Sequence, residues 1–300
     1  MNSVVLCLDA RYVWPTCVAV RSLARTWRSA EPLRIHLLTD PSVSPDSLLA
    51  LHAAAGPAEV TVIQRDFGFP DMRIGYITPM GYARIAAPDL IDAERLLYLD
   101  SDMLACVSVH TLLRQIGHDY PIAAARDPYI PELGSRHVET NRFPLGGRAP
   151  EFPYFNSGLL AIDVARWRAE RLTERAAELI ADPGWRPLFG DQDTLNYLIG
   201  GRFELLDPRW NVMPVSAVQQ RLDFTFHGER YMPAAYQLDL ERAPFVMHYA
   251  TEAKPWTDAF PAGPLRDRWH AVAAEAASMI ETAGLPVPAI SGTVRPAAHS

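Results

Sequence analysis

The chain has 300 residues, of which 49% are apolar and 21% are charged, and this predicts a soluble globular protein with a sizeable buried core. A formal net charge of −7 argues against nucleic acid as the main partner, because contacts with phosphates require a basic surface. No apolar run approaches the length that spans a bilayer, and the N-terminus lacks the basic region of a signal peptide. Cys7, Cys17 and Cys106 have no metal-like spacing and fit reduced thiols. We therefore expect a cytoplasmic protein without stable membrane insertion.

The first hundred residues alternate between predicted strands and predicted helices. The strands are predicted at 4–8, 33–38, 60–63 and 95–99, and the helices at 15–27, 46–55 and 82–90. This order predicts an α/β fold with an open, Rossmann-like sheet that is largely parallel and flanked by helices. The sequence lacks the Gly-x-Gly-x-x-Gly loop, so a glycine-cradled dinucleotide is not expected.

Regular elements are sparser in the second half. Residues 67–81 and 128–153 are rich in Gly and Pro, which predicts long loops. Helices are predicted at 161–180 and 192–199, and another helix after Pro264 is expected to pack back on the body of the protein. The chain shows no internal repeat.

The most informative motif is a pair of carboxylates, Asp100 and Asp102, directly after the predicted strand 95–99. Ligands of open α/β sheets bind outside the carboxyl ends of the strands, where these two side chains would emerge. Hard oxygen ligands at that edge suit Mg²⁺ or Mn²⁺ held together with the phosphates of a substrate. Asp-x-Asp alone is a weak motif, because chance matches in solvated turns are common.

Three later segments also place polar residues beside apolar ones. They are Tyr154-Phe-Asn-Ser-Gly-Leu-Leu160, Gly190-Asp-Gln-Asp-Thr-Leu-Asn196 and His248-Tyr-Ala-Thr-Glu-Ala-Lys-Pro-Trp256. The last segment contains Lys254, the single lysine of a chain rich in arginine. A lysine retained against that bias indicates a position that requires a compact ammonium group, with chance survival as the alternative.

In their order and spacing, the four segments resemble the family 8 glycosyltransferases. These are retaining enzymes with the GT-A fold, and they include bacterial lipopolysaccharide galactosyltransferases, glycogenin and galactinol synthases. The resemblance covers about residues 3–257 and implies a GT-A catalytic domain at 1–260 with a mixed central sheet. A C-terminal helix at 261–285 and a flexible tail at 286–300 would follow.

The resemblance also implies an activity. A hexose would move from a UDP-sugar to an acceptor hydroxyl of a small molecule or a glycan, with Mn²⁺ as the cofactor and Mg²⁺ as the alternative. Asp100, Asp102 and His248 would bind the metal ion, and Asp100 would also reach the ribose. A lone histidine after an apolar run is more often a core residue, but its place six residues before Lys254 favours a ligand. Lys254 would hold the diphosphate, where negative charge builds up as UDP departs.

Four further residues match positions that face the donor in the family, namely Arg84, Asn156, Asp191 and Gln192. Of these, Asn156, Asp191 and Gln192 would line the donor sugar and take part in catalysis. Arg84 could instead be a solvated helix cation, Asn156 a buried turn former and Asp191 a helix N-cap. Asp193 is a weaker candidate on the same predicted helix.

Two segments depart from the pattern of the family. Asp9 ends the first predicted strand and would accept a hydrogen bond from uracil, but many members continue with Asp and Asn where this chain has Ala10 and Arg11. A different base therefore remains open. Thr251 and Glu252 stand where members often have a glycine that lets the backbone approach phosphate.

Several alternatives remain at this point. Retention allows a covalent adduct, for which Asp191 is the best-placed carboxylate, or same-face attack, which is favoured because Gln192 is a poor nucleophile. A haloacid-dehalogenase-like phosphatase also has Asp-x-Asp after a strand, but it requires Thr or Val where this chain has Leu104. A non-catalytic member that binds a sugar nucleotide and a self-glycosylating enzyme stay open.

The acceptor is not readable from the sequence. Loop 128–153 is expected to shape the acceptor side, and its basic residues would suit an acidic or phosphorylated acceptor or would simply be solvated. These residues are Arg136, His137, Arg142 and Arg148.

Overall fold

The computed structural model describes residues 2–68, 79–115, 117, 119–135, 150–185, 187–218 and 233–290. The four basic residues of loop 128–153 named above and most of loop 67–81 lie outside the described residues, as does the end of the tail from residue 291.

A seven-stranded mixed sheet with the order β3-β2-β1-β4-β7-β6-β8 forms the centre of the protein, and β5 and β9 pair in a small second sheet. The strands of the central sheet are β1 (Asn2–Leu8), β2 (Arg34–Thr39), β3 (Glu59–Gln64), β4 (Arg95–Leu99), β6 (Ile122–Arg126), β7 (Phe155–Asp163) and β8 (Glu204–Leu205). The second sheet consists of β5 (Met103–Ala105) and β9 (Val246–His248).

Helices cover both faces of the central sheet. In chain order they are α1 (Val13–Thr26), α2 (Pro45–Ala55), α3 (Ala83–Leu90), α4 (His110–Gln115), α5 (Val164–Ala169), α6 (Leu172–Ala181), α7 (Asp191–Ile199), α8 (Val215–Val218), α9 (Ala234–Arg242) and α10 (Pro264–Thr282). Three short 3-10 helices span Ala10–Tyr12, Pro79–Tyr82 and Pro208–Asn211.

The side chains of β1 show why helices are needed on both faces. Val4 and Leu6 belong to the hydrophobic cluster on one face, while Val5 and Cys7 belong to the cluster on the other. Because side chains alternate along a strand, a continuous apolar strand must be covered on both sides. The predicted α/β class with a mixed central sheet is confirmed.

The strand directions place a topological switch between β1 and β4. Strands β3, β2, β1 and β4 run parallel, whereas β7 pairs antiparallel with both β4 and β6. From β1 the chain proceeds to β2 and β3 on one side and later to β4 on the other. Ligands of open α/β sheets bind at such a point.

The prediction of one helix at 161–180 is wrong. Residues 161–163 end strand β7, and two helices follow, Val164–Ala169 and Leu172–Ala181, with Arg171 between them at a φ of 53°. A short apolar run such as Leu159–Ile162 is compatible with a helix or with a buried strand. Pairing with β4 on one side and β6 on the other decides for the strand.

The C-terminal helix α10 packs against α1 and α2, and Trp269, Ala276 and Ile280 join the hydrophobic cluster of the sheet. It begins with Pro264 at its first position, where the missing N–H costs nothing. Among the described helices, none combines the length and the apolar character needed to cross a membrane.

Candidate active site

Four strand ends meet at one edge of the central sheet. Asp9, Asp100 and Asp127 directly follow β1, β4 and β6, three strands that run in the same direction. Strand β7 runs the other way, so its first residues, including Asn156, lie at the same edge. The backbone N–H of Asp100 donates to the carbonyl of Gly158 at 2.8 Å and ties β4 to β7 there. Residues far apart in the sequence are therefore brought together.

The small second sheet brings His248 to the same place. Strand β5 follows Asp102 directly, and its first residue, Met103, pairs with His248 of β9. The backbone N–H of Tyr249 donates to the carbonyl of Asp102 at 3.0 Å. The ladder thus fixes the imidazole beside the carboxylates of the Asp-x-Asp motif.

Asp100, Asp102 and His248 form a trio whose three ligand atoms all lie within 4.8 Å of one another. Nε2 of His248 lies 3.3 Å from Oδ1 of Asp102 and 3.6 Å from Oδ2 of Asp100. Oδ1 of Asp102 is buried and accepts no hydrogen bond from the part of the chain that the structure describes. A buried oxygen without a partner is costly, and two carboxylates with an imidazole are ligands for a divalent metal ion. The trio therefore fits such a cation.

Lys254 lies next to this trio. Its ammonium Nζ is 2.6 Å from Oδ2 of Asp102 and donates to the carbonyl of Tyr249 at 2.8 Å. Burial raises the pKa of Asp102, but the ammonium of the neighbouring Lys254 opposes this, and the pKa stays below its usual value. The lysine is buried, which is unusual for a residue of this type without a specific role.

Arg84 connects the metal trio to the other end of the cleft. Its guanidinium lies 2.9 Å from Oδ1 of Asp100 and 3.0 Å from Oδ2 of Asp191, and it donates to the carbonyl of Ser157 at 2.7 Å. It also stacks over the ring of Tyr98 at 4.3 Å. With 6% of its surface exposed, Arg84 is a buried ionic bridge and not a solvated helix cation.

Asp191 is the first residue of α7, and Gly190, at a φ of 53°, occupies the N-cap position instead. Oδ2 of Asp191 accepts a hydrogen bond from the hydroxyl of Ser157 at 3.0 Å and lies against Arg84. Burial raises the pKa of Asp191 to about 6, and the nearby Arg84 limits the rise. The side chain therefore points into the cleft and does not cap its own helix.

Both polar atoms of the Gln192 amide are held by the protein. Its Oε1 accepts from the amide of Asn156 and the backbone N–H of Ser157, both at 3.0 Å. Its Nε2 donates to Oδ2 of Asp127 at 3.2 Å and to the hydroxyl of Tyr154 at 3.3 Å. The orientation of this side chain is fixed before any ligand binds.

Asp127 belongs to the site but was not predicted. Its Oδ1 accepts from the backbone N–H groups of Tyr129 at 2.8 Å and Ile130 at 2.9 Å, and its Oδ2 accepts from Asn156 at 3.0 Å. Burial raises the pKa of this carboxyl group. The signal was present in the sequence, because the apolar run Ile122–Ala125 and Arg126 are followed directly by a carboxylate, much as the strand before Asp100 is.

Asp193 faces away from the trio and holds a loop. Its Oδ2 accepts from the backbone N–H groups of Leu188 at 2.6 Å and Phe189 at 2.9 Å, and its Oδ1 accepts from the hydroxyl of Tyr154 at 2.6 Å. These contacts favour a structural role, since they fix the turn that precedes α7.

Asp9 reaches the cleft with its carboxylate already bound. Oδ1 accepts the backbone N–H of Arg11 at 2.9 Å, and Oδ2 lies 2.8 Å from the guanidinium of the same residue. Arg11 is the residue at which the sequence departs from the family pattern, and its side chain remains 47% exposed. Any base that binds Asp9 therefore also meets Arg11.

Two adjoining cavities share Arg84, Asp100 and Asp102. The first cavity is also lined by Cys7 of β1, by Asp9 directly after it, and by Tyr12 and Met80 of two 3-10 helices. The second extends over the opposite end, lined among others by Asp127, Asn156, Asp191, Gln192 and His248. The metal trio thus stands in the middle of one continuous cleft.

Comparisons with known proteins agree with this arrangement. A family model described as glycosyl transferase family 8 matches residues 3–259. General stress protein A of Bacillus subtilis is 26% identical over 263 residues, which are 84% of this chain and 86% of that protein. Glycosyltransferase GlyE of Streptococcus pneumoniae is 26% identical over 199 residues, and the match spans 66% of this chain but 42% of GlyE.

A solved structure shows the same fold. The galactosyltransferase LgtC in complex with donor and acceptor sugar analogs matches with a TM-score of 0.72 and 25% identity, over 92% of this chain and 96% of LgtC. The family match covers the Asp-x-Asp motif and all three later segments, the last of which contains Lys254, and it favours glycosyl transfer over the phosphatase alternative. The chain therefore belongs to glycosyl transferase family 8 and is a glycosyltransferase with the GT-A fold.

Proposed function

We propose that this protein is a cytoplasmic, retaining hexosyltransferase that moves a hexose from a UDP-sugar to a hydroxyl of a small molecule or glycan, with Mn²⁺ as its cofactor. The observation that carries the proposal is the convergence of three metal ligands and one ammonium group at the centre of a cleft. These groups belong to Asp100, Asp102, His248 and Lys254.

The central trio would hold the cation. When bound there, Mn²⁺ would neutralise the oxygens of the diphosphate while negative charge develops on the leaving group. The buried Oδ1 of Asp102, which accepts no hydrogen bond from the described residues, supports a ligand role for this side chain. Lys254 would add a second positive charge from the protein itself, preplaced where the diphosphate departs.

The nucleoside would occupy the cavity that contains Asp9. The ion pair of Asp9 and Arg11 presents a carboxylate acceptor beside guanidinium N–H donors. Uracil offers the complementary edge, an N3–H donor beside the O4 acceptor. This match supports a base with such an edge, of which uracil is one, although the residues at positions 10 and 11 differ from the common pattern of the family.

The donor sugar would lie over the second cavity and react by same-face attack. The bond from C1 to the phosphate oxygen breaks with its electron pair on the phosphate, the acceptor oxygen bonds to C1 on the same face, and the acceptor proton passes to the departing phosphate. The two carboxylates at this end support same-face attack, because the protein's own hydrogen bonds and ion pairs already engage both and make them poor nucleophiles. Asp127 accepts four hydrogen bonds, and Asp191 is paired with Arg84.

A panel of nucleotide sugars tests the donor and the metal together. We expect a UDP-hexose with Mn²⁺ to raise the melting temperature, and a chelator to abolish the shift. Release of UDP should increase when an acceptor is added. Failure of every nucleotide sugar to stabilise the protein in the presence of Mn²⁺ would contradict the proposal, and binding without hydrolysis or transfer would identify a non-catalytic member.

Two further measurements test the chemistry. NMR of the first-formed product should show the anomeric configuration of the donor, whereas inversion would exclude a retaining enzyme. Intact mass after incubation with donor alone should show no glycosyl adduct. A stable adduct on Asp191 would replace same-face attack with a covalent route, and a ladder of hexose masses would indicate self-glycosylation.

A further inference from the structure

We infer that Asn211 is a positioning residue that holds the imidazole of His248 with its proton on Nδ1, so that the Nε2 lone pair points at the metal ion. The inference rests on the proposed metal site and adds a residue outside the four sequence segments. Asn211 is 5% exposed and ends the 3-10 helix Pro208–Asn211. Its Oδ1 lies 2.9 Å from Nδ1 of His248.

The orientation of the Asn156 amide follows from one donor of known identity, the backbone N–H of Gly158. The backbone N–H of Gly158 donates to the side chain of Asn156 at 3.0 Å, so the atom that receives it must be the amide oxygen. The amide nitrogen of Asn156 then faces Asp127 and the oxygen of Gln192, each at 3.0 Å. The backbone and the neighbouring acceptors therefore agree on one orientation of the Asn156 amide.

That orientation fixes the next amide. The oxygen of Asn156 lies 2.9 Å from the Asn211 side chain, and an amide oxygen requires a donor opposite it. Asn211 therefore presents its nitrogen to Asn156 and its oxygen to His248. An amide oxygen only accepts, so Nδ1 of His248 must carry a proton.

The proton on Nδ1 determines the state of the other ring nitrogen of His248, Nε2. In a neutral imidazole with its proton on Nδ1, Nε2 carries a lone pair. Nε2 lies 3.6 Å from Asp100 and 3.3 Å from Oδ1 of Asp102, which accepts no hydrogen bond from the described residues, so in this form lone pairs of three ligand atoms lie close together. A cation among them removes their repulsion. A hydrogen bond at the second ring nitrogen is the usual way in which a metal-ligating histidine is oriented.

The backbone shows why these two residues are neighbours. The N–H of Val212 donates to the carbonyl of Val246 at 3.0 Å, and the N–H of His248 donates to the carbonyl of Val212 at 2.8 Å. This parallel bridge beside β9 fixes Asn211 against the imidazole. Tight packing allows little freedom, because a Cβ at Gly158 would stand 2.3 Å from Cε1 of His248.

Three variants separate the acceptor role from general stability. Asn211→Leu removes the acceptor but keeps the branched arrangement of side-chain heavy atoms. Asn211→Asp keeps an acceptor for Nδ1 but loses the donor to Asn156. Asn196→Leu is the matched control, because Asn196 is an equally buried asparagine that hydrogen-bonds Phe155 and Gln192 and has no contact with His248.

Two readouts are needed, and neither requires turnover. Long-range ¹H–¹⁵N correlation spectra of the metal-free full chain, assigned through His248→Gln, should show the Nδ1–H tautomer in the wild type and its loss in Asn211→Leu. Electron paramagnetic resonance titration with Mn²⁺ alone should show about 10- to 100-fold weaker binding to Asn211→Leu. Binding by Asn211→Asp and Asn196→Leu should stay within a few-fold of the wild type, even where their melting temperatures fall.

The outcomes distinguish this inference from the proposed function. Wild-type affinity in Asn211→Leu, or a ring without a proton on Nδ1 in the wild type, would overturn the role of Asn211. Equal losses in all three variants would show that Asn211 acts only through stability. If the wild type binds no Mn²⁺ but has the Nδ1–H tautomer, the metal proposal fails while the assignment of the tautomer stands.

Discussion

The two ends of the cleft differ in how completely the protein satisfies its own polar groups. At the end that contains Asp100, Asp102 and His248, called the metal end after its proposed ligand, Oδ1 of Asp102 accepts no hydrogen bond from the described chain, and Nε2 of His248 lies 3.3 Å from it. At the other end, called the sugar end after the proposed position of the donor sugar, Asp127, Asn156 and Gln192 use both polar atoms of each side chain in hydrogen bonds to the protein. An added cation would thus satisfy the polar groups of the metal end, whereas the side chains of the sugar end are held in place without a ligand.

The pKa shifts follow the same division. Burial raises the pKa of Asp102, but the ammonium of Lys254 opposes this and the pKa stays below its usual value, which keeps a negative ligand at the metal end. Burial raises the pKa values of Asp127 and Asp191 at the sugar end. We infer that the metal end is built for binding charge, while the sugar end is built for fixed geometry. Substitutions at the two ends of the cleft should therefore impair different properties of the protein.

The largest loss is expected from Asp102→Asn. The amide removes a negative metal ligand and leaves Lys254, at 2.6 Å, without its ion pair. Since a bound metal contributes several kcal/mol to transition-state charge stabilisation, we expect kcat/KM to fall by roughly 10³-fold or more. Mn²⁺ titration should show lost binding, whereas Asp207→Asn, which changes an exposed ion pair with Arg209, should behave as wild type. Retained Mn²⁺ affinity in Asp102→Asn would remove this residue from the metal site.

A smaller loss is expected from Lys254→Met, because the metal ligands remain in place. Removing one preorganised charge at a developing anion costs on the order of 10²- to 10³-fold in kcat. Lys254→Arg should recover little, since the buried position suits a compact ammonium group better than a planar fork. Single-turnover rates at saturating donor measure the effect. Full activity of the arginine variant would show that charge alone matters at this position.

Gly158→Ala should weaken metal binding without touching a ligand. The new Cβ would stand 2.3 Å from Cε1 and 2.8 Å from Nδ1 of His248, so the imidazole must shift. We expect about 10- to 100-fold weaker Mn²⁺ binding, the range typical for disturbed support of a ligand. Gly184→Ala is the control, because its Cβ would meet only the carboxylate of Asp182 in an exposed loop. Unchanged Mn²⁺ affinity would show that the ring of His248 need not keep this position.

The metal end was easier to predict from the sequence than the sugar end. Asp100 and Asp102 follow an apolar strand, and His248 and Lys254 stand close together in one segment. The structure brings these four side chains together. A local pattern was sufficient here because Asp100 and Asp102 come just after one short, fully buried strand and His248 ends another, with Lys254 six residues farther on.

The hydrogen-bond network at the sugar end depends on which strands pair with each other, and the sequence does not show this. Strand β7 was partly assigned to a helix and β6 was not predicted, so Asp127 was missed. Asn211 carries no motif, and its contact with His248 arises from the bridge between Val212 and Met247, residues 35 positions apart by their numbering. Hydrogen-bond partners of this kind follow from the register between distant strands, which a single sequence does not specify.

The smallest expected effect is a pH-dependent difference in stability between the wild type and Asp191→Asn. It tests whether the carboxyl groups at the two ends of the cleft titrate differently. A carboxyl group whose folded pKa of about 6 exceeds its unfolded value of about 3.9 stabilises the fold most when protonated, and this contribution is lost as pH rises through the folded value. The wild type should therefore lose stability relative to Asp191→Asn between pH 4 and pH 7, by at most about 3 kcal/mol, with little further change above. Melting temperatures measured with a chelator test this, and the difference, variant minus wild type, should grow with pH. A difference that shrinks with pH would mean that the ion pair with Arg84 outweighs desolvation. Asp191 would then resemble Asp102, and the division between the two ends of the cleft would not extend to its charge.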